Sequence, residues 1–450
     1  MLHQLHTVIE LNIPLFSKDL FLSHLGIASL NFTLHSVKGN DVAPAITAGF
    51  LSGKKDPIMN KKSLCTLADV ADLLPQLRQV RQHLHQYPEL SNEESATAAF
   101  VAEKLESLGY QVTTAVGGYG VVGSMKLGSG SRSIGIRADM DALPITEQTG
   151  VSYASQFPGK MHACGHDGHT TMLLGAAAQL ARSKNFSGTA HLIFQPAEEI
   201  GFNSGAERML AEQLFERFPC DAVYGLHNHP GYPVGKMMFR SGPFMAACDT
   251  VNITVHGKGG HAARPHMTVD PILVASSLVI ALQSVISRNI DPNETAVVTI
   301  GSLHSGHAAN VIPETARLEM SVRSFDPQVR KILEKRIRTL VENHAAGYGA
   351  RAEIEYVSGY PVLVNHDQET AFAMEVAKEL LGEENVIDNL PPISGSEDFA
   401  YFLQQKPGCF LRLGNGDSAV LHNPAYNFND DSLSFGAAYW TRLVERYLED

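Results

Sequence analysis

Short apolar segments alternate with longer amphipathic segments through the first half of the chain, and this pattern limits the possible folds most narrowly. Apolar runs that predict strands lie at Gly120–Leu127, Ser133–Arg137 and Thr189–Gln195. A helical run rich in Ala and Leu follows His169. Strands that alternate with helices are typical of an α/β layered domain with a largely parallel sheet.

The pattern changes between residues 248 and 357. There the predicted order is strand, helix, two strands, helix and strand, which is the β-α-β-β-α-β order of ferredoxin-like units. The alternation of strands and helices resumes after Pro361 and ends in a predicted helix at Ser432–Leu448. We therefore predict one α/β domain built from residues 63–247 and 358–450, with a ferredoxin-like α+β domain inserted at residues 248–357.

Residues 1–62 show weak periodicity and end in a polar run at 53–57, and Met59 would serve as a translation start. We expect an N-terminal extension here that is not essential to the rest of the chain. The first regular element is predicted from Leu67 to about Gln86, where apolar residues recur at helical spacing.

The composition excludes several classes of protein. An apolar content of 44% and a charged content of 18% describe a globular chain rather than a disordered or fibrous one. The formal net charge is −12 and Lys and Arg form no long run, so neither nucleic acid nor an anionic membrane is an expected partner.

Two further features indicate the compartment. No stretch reaches the roughly 18 consecutive apolar residues that a membrane span requires. The five cysteines are odd in number, far apart and without a CxxC pair, so we do not expect a disulfide framework. A reducing cytoplasm is therefore the expected location.

The densest group of reactive side chains is the stretch MHACGHDGHT at residues 161–170. Cys164 and His166 are separated only by Gly165, a spacing that lets both side chains point at one centre. A thiolate and an imidazole are ligands that a borderline-soft divalent metal prefers. The alternative is a polar loop that caps a helix through Asp167 or Thr170.

Other candidate ligands follow predicted strands, where functional groups collect in open α/β sheets. Glu198 and Glu199 could divide metal binding and proton transfer between them, although a Glu-Glu pair is more often a solvated surface feature. His227 is equally a ligand or a satisfied polar group, and His422 alone would be read as a turn histidine. Asp139 and Asp141 come after a predicted strand and could bind a metal or orient an imidazole that does.

Taken together, nine stretches resemble the dinuclear amidohydrolase branch of the zinc aminopeptidase/aminoacylase clan. This branch includes hippurate hydrolase, N-acyl-amino-acid and N-acetyl-diaminopimelate deacetylases, and plant auxin–amino-acid conjugate hydrolases. The stretches, in the family's order, are HQYPELSNEE, RADMDALPITE, MHACGHDGHT, FQPAEE, GLHNHP, GGHAARPH, NVIP, SGSEDFAYF and LHNPAYNF. The resemblance implies a zinc-peptidase-like catalytic domain around the inserted unit, which would serve as lid and dimerisation domain.

The resemblance also implies a metal site. Two divalent metal ions per subunit are expected, with Zn, Mn, Co and Ni all open. The positions that match metal ligands are Cys164, His166, Glu199, His227 and His422. Glu198 matches the general base, and Asp141 matches the acid behind a metal-binding histidine. Asp139 stands where most of the clan has a histidine, and Cys164 stands where most has a bridging aspartate, so a thiolate bridge would favour softer metals.

In the inserted domain the resemblance assigns substrate contacts. The histidine that matches His261 acts across a dimer interface and polarises the scissile carbonyl in the other subunit's site. Asn310 and Arg323 resemble the pair that holds the substrate's free carboxylate, for which a planar guanidinium is suited. Without the family resemblance, Arg323 would be interpreted as one partner of a salt bridge on the surface of a strand. A homodimer or homotetramer is therefore expected.

The function implied is hydrolysis of the amide bond of N-acyl or aryl-acyl amino acids, as in aminoacylases and hippurate hydrolases. Water activated by the two metal ions attacks the amide, and Glu198 transfers the proton. Two alternatives stay open at this point. One is a cysteine hydrolase with Cys164 as nucleophile; the other is a metal- or peptide-binding homologue without catalysis.

Overall fold

The computed structural model describes residues 63–449, so the extension expected at residues 1–62 lies outside the described residues. Up to Met245 the elements are α1 (Leu67–Val70), α2 (Leu74–Gln86), α3 (Ser95–Ser107), β1 (Gln111–Val116), β2 (Gly120–Leu127), β3 (Ser133–Asp139), α4 (His166–Ser183), β4 (Gly188–Gln195), α5 (Gly205–Ala211), α6 (Leu214–Arg217), β5 (Ala222–His229), β6 (Met237–Met238) and β7 (Gly242–Met245).

The first predicted helix is interrupted. A 3-10 turn at Ala71–Leu73 separates α1 from α2, and Pro75 occupies the first turn of α2. Proline has no N–H to donate to the carbonyl of Ala71, and its ring collides with that carbonyl in a continuous helix. The prediction of one helix from Leu67 to Gln86 was therefore wrong at this point.

The next block contains β8 (Ala247–His256), β9 (Gly260–His261), a 3-10 turn (Pro265–Met267), α7 (Pro271–Asn289), β10 (Ala296–Ser305), β11 (Val311–Ile312), β12 (Thr315–Ser324), α8 (Pro327–Gly347) and β13 (Arg351–Ser358). The chain then forms β14 (Leu363–Asn365), α9 (Asp367–Leu381), a 3-10 turn (Glu383–Asn385), β15 (Val386–Ile387), α10 (Phe399–Leu403), β16 (Gly408–Gly414) and α11 (Ser432–Tyr447).

An eight-stranded mixed sheet holds the first and last parts together, in the order β1-β2-β4-β3-β5-β16-β6-β15. The four neighbouring strands β4, β3, β5 and β16 are parallel, as predicted. The β1–β2 and β2–β4 pairs are antiparallel. Because only three residues join β1 to β2, these strands can pair only as a hairpin.

Helices cover both faces of this sheet. On β4, Leu192 and Phe194 belong to the core shared with α4, α9 and α11. Ile193 points the other way, into the core shared with α5, α6 and α10. Alternation of side chains across a strand explains how one apolar run serves two cores. The result is the layered α/β fold that the sequence predicts.

Residues 247–358 form a four-stranded antiparallel sheet in the order β10-β12-β8-β13. Its helices α7 and α8 share one core with alternate residues of the strands. Both helices begin with Asp-Pro: the Asp270 and Asp326 side chains accept backbone N–H groups, and the proline fits the first turn. The predicted ferredoxin-like order is confirmed, whereas the exact domain boundaries at 248 and 357 stay a prediction.

Within residues 63–449, one helix has the length and apolar composition to cross a membrane: α7, with a mean hydropathy of 1.6 over its best window. Val274, Leu278, Leu282 and Val285 on this helix are buried against the four-stranded sheet. The core helix of a globular domain meets the same criteria, so this feature is weak evidence for a membrane.

Candidate active site

The sheet brings the predicted site residues to one edge. Asp139 ends β3, Glu198 follows β4 and His227 lies near the end of β5, all at the carboxyl ends of parallel strands. His166 begins α4 at the same edge. Ligands bind at this edge in open α/β sheets because the loops that leave the strands meet there.

The loop before α4 is held tightly in place. Gly165 has a φ of 91°, and a Cβ added there would lie 2.2 Å from Asn228 Nδ2, so glycine is required on both counts. Asn228 Nδ2 donates to the carbonyl of Cys164 at 2.7 Å, and Tyr426 OH donates to Asn228 Oδ1. The backbone N–H of His422 donates to Ala163 at 2.8 Å and ties the 422 loop to this one.

The structure brings all five predicted ligand positions and Glu198 together. Their ligand atoms fall into three overlapping groups, each with all atoms within 4.8 Å of one another: Cys164, His166 and His227; Cys164, Glu199 and His422; and His166, Glu198 and Glu199. Cys164 Sγ lies 3.2 Å from His227 Nε2, and His422 Nε2 lies 3.3 Å from Glu199 Oε1. Thiolate, imidazole and carboxylate groups packed this closely form a ligand set for zinc or a similar cation.

Two atoms in this cluster are suited to bind a cation. His166 Nε2 and Glu199 Oε1 are buried and have no hydrogen bond of acceptable geometry, although they lie 3.9 Å apart. Buried polar atoms are nearly always paired, so an unpaired nitrogen and oxygen that face each other need a partner. A divalent cation would bind both.

The carboxylates behind the ligands have separate tasks. His166 Nδ1 lies 2.9 Å from the Asp141 carbonyl and 3.2 Å from its Oδ1, which leaves His166 Nε2 facing the cluster. This is the geometry by which a carboxylate orients a metal-binding imidazole. Asp139 instead contacts His169 Nδ1 at 2.6 Å and accepts from Arg137. His169 Nε2 accepts from Asn228, so both of its ring nitrogens are already in use.

Glu198 is surrounded by acidic groups that the sequence analysis did not single out. Its carboxylate lies within 4.8 Å of those of Glu397 and Asp398, from the stretch SGSEDFAYF. Burial, followed by the charges of Glu397 and Glu199, raises the pKa of Glu198 well above its usual range. A carboxylate with a raised pKa holds a proton more readily, which suits a group that receives and passes on a proton.

The guanidinium of Arg137, on the central strand β3, offsets the negative charge of the carboxylates in this region. Its guanidinium contacts Asp139 at 2.8 Å, Glu397 at 2.8 Å and Asp398 at 3.0 Å. In the sequence, Glu397 and Asp398 are visible only as an acidic pair in the loop stretch SGSEDFAYF. They lie about 260 positions after Arg137, so the sequence does not link them to it. Tyr360, also not singled out, donates from its hydroxyl to the carbonyl of Glu198.

A cavity of about 720 Å³ opens above the cluster. Cys164, Glu198 and His422 line it from the eight-stranded part, and Arg323 lines it from β12. Arg323 Nη1 donates to Ser396 Oγ at 2.9 Å, and within residues 63–449 it forms no ion pair. The alternative of a strand-surface salt bridge is therefore wrong.

His261 and Asn310 are not part of this cavity. Both are exposed and lie at the two-stranded antiparallel β9–β11 ribbon, where His261 pairs with Val311 and the Ala262 N–H donates to the carbonyl of Asn310. Of the two substrate-binding positions predicted, only Arg323 faces the ligand cluster of its own chain.

Comparison with known proteins gives consistent results. Residues 135–446 match the sequence model of peptidase family M20/M25/M40. The chain is 44% identical to hippurate hydrolase of Campylobacter jejuni over 85% of this chain and 99% of that protein. It is 39% identical to N-acetyl-L-cysteine deacetylase of Bacillus subtilis over 87% and 93% of the two chains. It is 36% identical to an IAA-amino acid hydrolase of Arabidopsis thaliana over 88% and 90%.

A solved structure supports the same fold. A dinuclear metal-binding peptidase of the M20 family from Bacillus subtilis superposes with a TM-score of 0.73 and 34% identity, covering 84% of this chain and 99% of that one. The curated relatives above are named as hydrolases or deacetylases and match nearly their whole length. Fold, ligand cluster and relatives agree, and this chain belongs to the hydrolases of peptidase family M20/M25/M40.

Proposed function

We propose that this chain is a metal-dependent amidohydrolase that cleaves N-acyl or aryl-acyl amino acids to a carboxylate and a free amino acid. The observation that carries the proposal is the buried carboxylate of Glu198 beside the cluster of predicted ligands. Hippurate and N-acetyl-cysteine, named in two relatives, are N-acyl amino acids, which supports this substrate class.

The site would hold two divalent cations. The dinuclear metal-binding relative supports this number. The residues proposed to bind the cations are Cys164, His166, Glu199, His227 and His422. Cys164 would offer these cations a thiolate, which favours Zn, Co or Ni over a harder ion, with Mn as the further candidate.

The chain's own residues perform the proton transfer. Bound cations would acidify a water molecule and polarise the amide carbonyl. Glu198 accepts the proton of the attacking water on a carboxylate oxygen and passes it to the leaving nitrogen. Arg137 holds the carboxylates of Glu397 and Asp398 in place beside Glu198.

The substrate's free carboxylate would bind Arg323. Asn310 and His261 face away from this cavity, so we propose that a second subunit supplies them, in a homodimer or homotetramer. All five cysteines are free, in keeping with a reducing cytoplasm as the proposed location.

Cys164 is a poor nucleophile by comparison. Its sulfur lies among the proposed ligand atoms, 3.2 Å from His227 Nε2, so bound cations would occupy the lone pairs with which a cysteine nucleophile attacks. A homologue without catalysis would have no use for a buried Glu198 at this position.

The test combines chelation with Glu198→Gln. Treatment with a chelator should abolish hydrolysis of N-acetyl, benzoyl, indole-acetyl or succinyl amino acids, and addition of Zn, Mn, Co or Ni should restore it. Glu198→Gln should still bind two metal ions per subunit by elemental analysis, but its kcat should fall about 10²–10⁴-fold because the proton acceptor is gone.

Glu383→Gln is the matched control, because Glu383 is an exposed glutamate in a 3-10 turn. It should keep the parent activity. Retention of most activity in Glu198→Gln, or activity that survives complete metal removal, would contradict the proposal.

A further inference from the structure

Arg412 is a buried cation to which none of the roles described above is assigned. It lies in β16, in register with His227 of β5, and it is 3% exposed. Its Nη2 contacts Met245 Sδ at 2.9 Å, and its Nε has no partner. A thioether is a weak acceptor and Nε is unpaired, so this guanidinium has hydrogen-bonding capacity that the described residues leave unused.

The neighbouring carboxylates do not pair with Arg412. Glu397 is close enough to influence its charge, but Glu397 Oε1 already accepts from Arg137 and from the backbone of Phe399. Within residues 63–449, no carboxylate lies within ion-pair distance of Arg412. The guanidinium carbon lies 5.5 Å from the centre of the Phe410 ring, a cation–π contact that offsets part of the cost of burial. An arginine buried without a carboxylate partner is still costly, so the fold maintains this charge against a penalty of desolvation.

Arg412 lines the same cavity as Cys164 and Glu198. Met245, Ile393 and Leu421 contribute apolar surface to the same cavity. The cavity therefore combines apolar surface with a buried guanidinium whose Nε–H is free.

We propose that Arg412 binds a carboxylate on the acyl group of the substrate. The preferred substrates are then amino acids acylated by a short dicarboxylic acid, of the oxalyl, malonyl or succinyl type. This inference rests on the proposed amidohydrolase function. It places one guanidinium at each end of the substrate: Arg323 on the amino-acid carboxylate and Arg412 on the acyl carboxylate. The acyl chain is short because Arg412 pairs across neighbouring strands with His227, one of the proposed metal ligands.

The test compares two acyl groups of equal size on one amino acid. N-succinyl and N-succinamoyl substrates differ only in a terminal carboxylate or amide. The metal-loaded parent enzyme should have a kcat/KM on the order of 10–100-fold higher for the succinyl substrate, as expected for a charge-assisted hydrogen bond. Arg412→Met should bring this ratio close to one, and Arg412→Lys should keep part of it.

Arg323→Met is the matched control. Both substrates carry the same amino-acid carboxylate, so this variant should lower both rates and leave their ratio at the parent value. The ratio thereby separates recognition of the acyl group from general damage to the site.

Three results would overturn the inference. The parent enzyme could show no preference for succinyl over succinamoyl, a measurement that stands even if Arg412→Met does not fold. Arg412→Met could lower both rates equally, as a purely structural role requires. N-acetyl or N-benzoyl substrates could be cleaved while both four-carbon substrates are not. If no N-acyl amino acid is hydrolysed, the proposed function itself fails.

Discussion

At the residue scale, three of the side chains given a role here have a buried polar atom without a hydrogen bond. His166 Nε2 and Glu199 Oε1 face each other unpaired, and Arg412 Nε is unpaired in the same cavity. By contrast, His169 is equally buried but has hydrogen bonds at both nitrogens. By residue type alone, all four side chains are equally good candidates for a functional role. Their hydrogen-bond partners distinguish His169 from the other three.

A buried histidine away from the site should make stability depend on pH. His191 on β4 contacts Ser124 Oγ at 2.7 Å, and burial lowers its pKa to about 4. Between pH 6.5 and 4 the unfolded chain binds a proton at His191 and the folded chain does not, so stability falls as the pH falls through this range.

His191→Gln removes this contribution because glutamine stays neutral. From pH 7.5 to pH 5, the free energy of unfolding of the parent should fall by about 1–2 kcal/mol more than that of the variant. Urea unfolding at both pH values measures this. His307→Gln, at an exposed histidine, should behave as the parent does. Equal pH dependence in parent and His191→Gln would refute the assignment.

At the element scale, the contact between α4 and α11 depends on glycine. A Cβ added to Gly436 would lie 2.0 Å from Met172 Sδ and 2.7 Å from its Cγ, so the two helices can approach only without a side chain there. Met172 is itself completely buried and has little room to move.

Gly436→Ala should therefore destabilise the protein by about 1–3 kcal/mol, in spite of the higher helix propensity of alanine. The shift of the urea midpoint measures the effect. Gly347→Ala provides the comparison, because Gly347 ends α8 and a Cβ there meets nothing within 4 Å. A Gly436→Ala variant as stable as the Gly347→Ala variant would mean that the helices can separate at little cost.

At the scale of the whole molecule, a site shared between subunits predicts complementation. Glu198→Gln and His261→Ala should each be inactive alone. If the two damaged residues serve the same site from different subunits, a mixed dimer has one intact site. Random mixing should then restore about a quarter of the parent activity, since half the dimers are mixed and each has one working site of two.

Glu198→Gln mixed with Glu199→Ala is the control, because both residues lie in one chain's cavity and no mixed site is intact. Activity is measured after the subunits are dissociated and reassembled together. Mixed dimers without any activity, or a fully active His261→Ala, would show that His261 does not act across subunits.

The sequence by itself determined the pattern of elements and the set of reactive side chains. Strand and helix periodicity is local, so the α/β order and the ferredoxin-like block were predictable, and so were Cys164, His166 and Glu198 as candidates. Proline chemistry is also local, and the break before α2 could have been predicted from Pro75.

Only the tertiary structure decided which charges are paired. Arg137 meets Glu397 across 260 positions, and Arg412 lies in the cavity without an ion pair to any carboxylate of residues 63–449. Likewise, His261 is exposed on the two-stranded β9–β11 ribbon while Arg323 faces the ligand cluster, although both come from residues 247–358. Local patterns specify which groups are present, whereas the burial and hydrogen-bond partners that tune them arise from long-range packing.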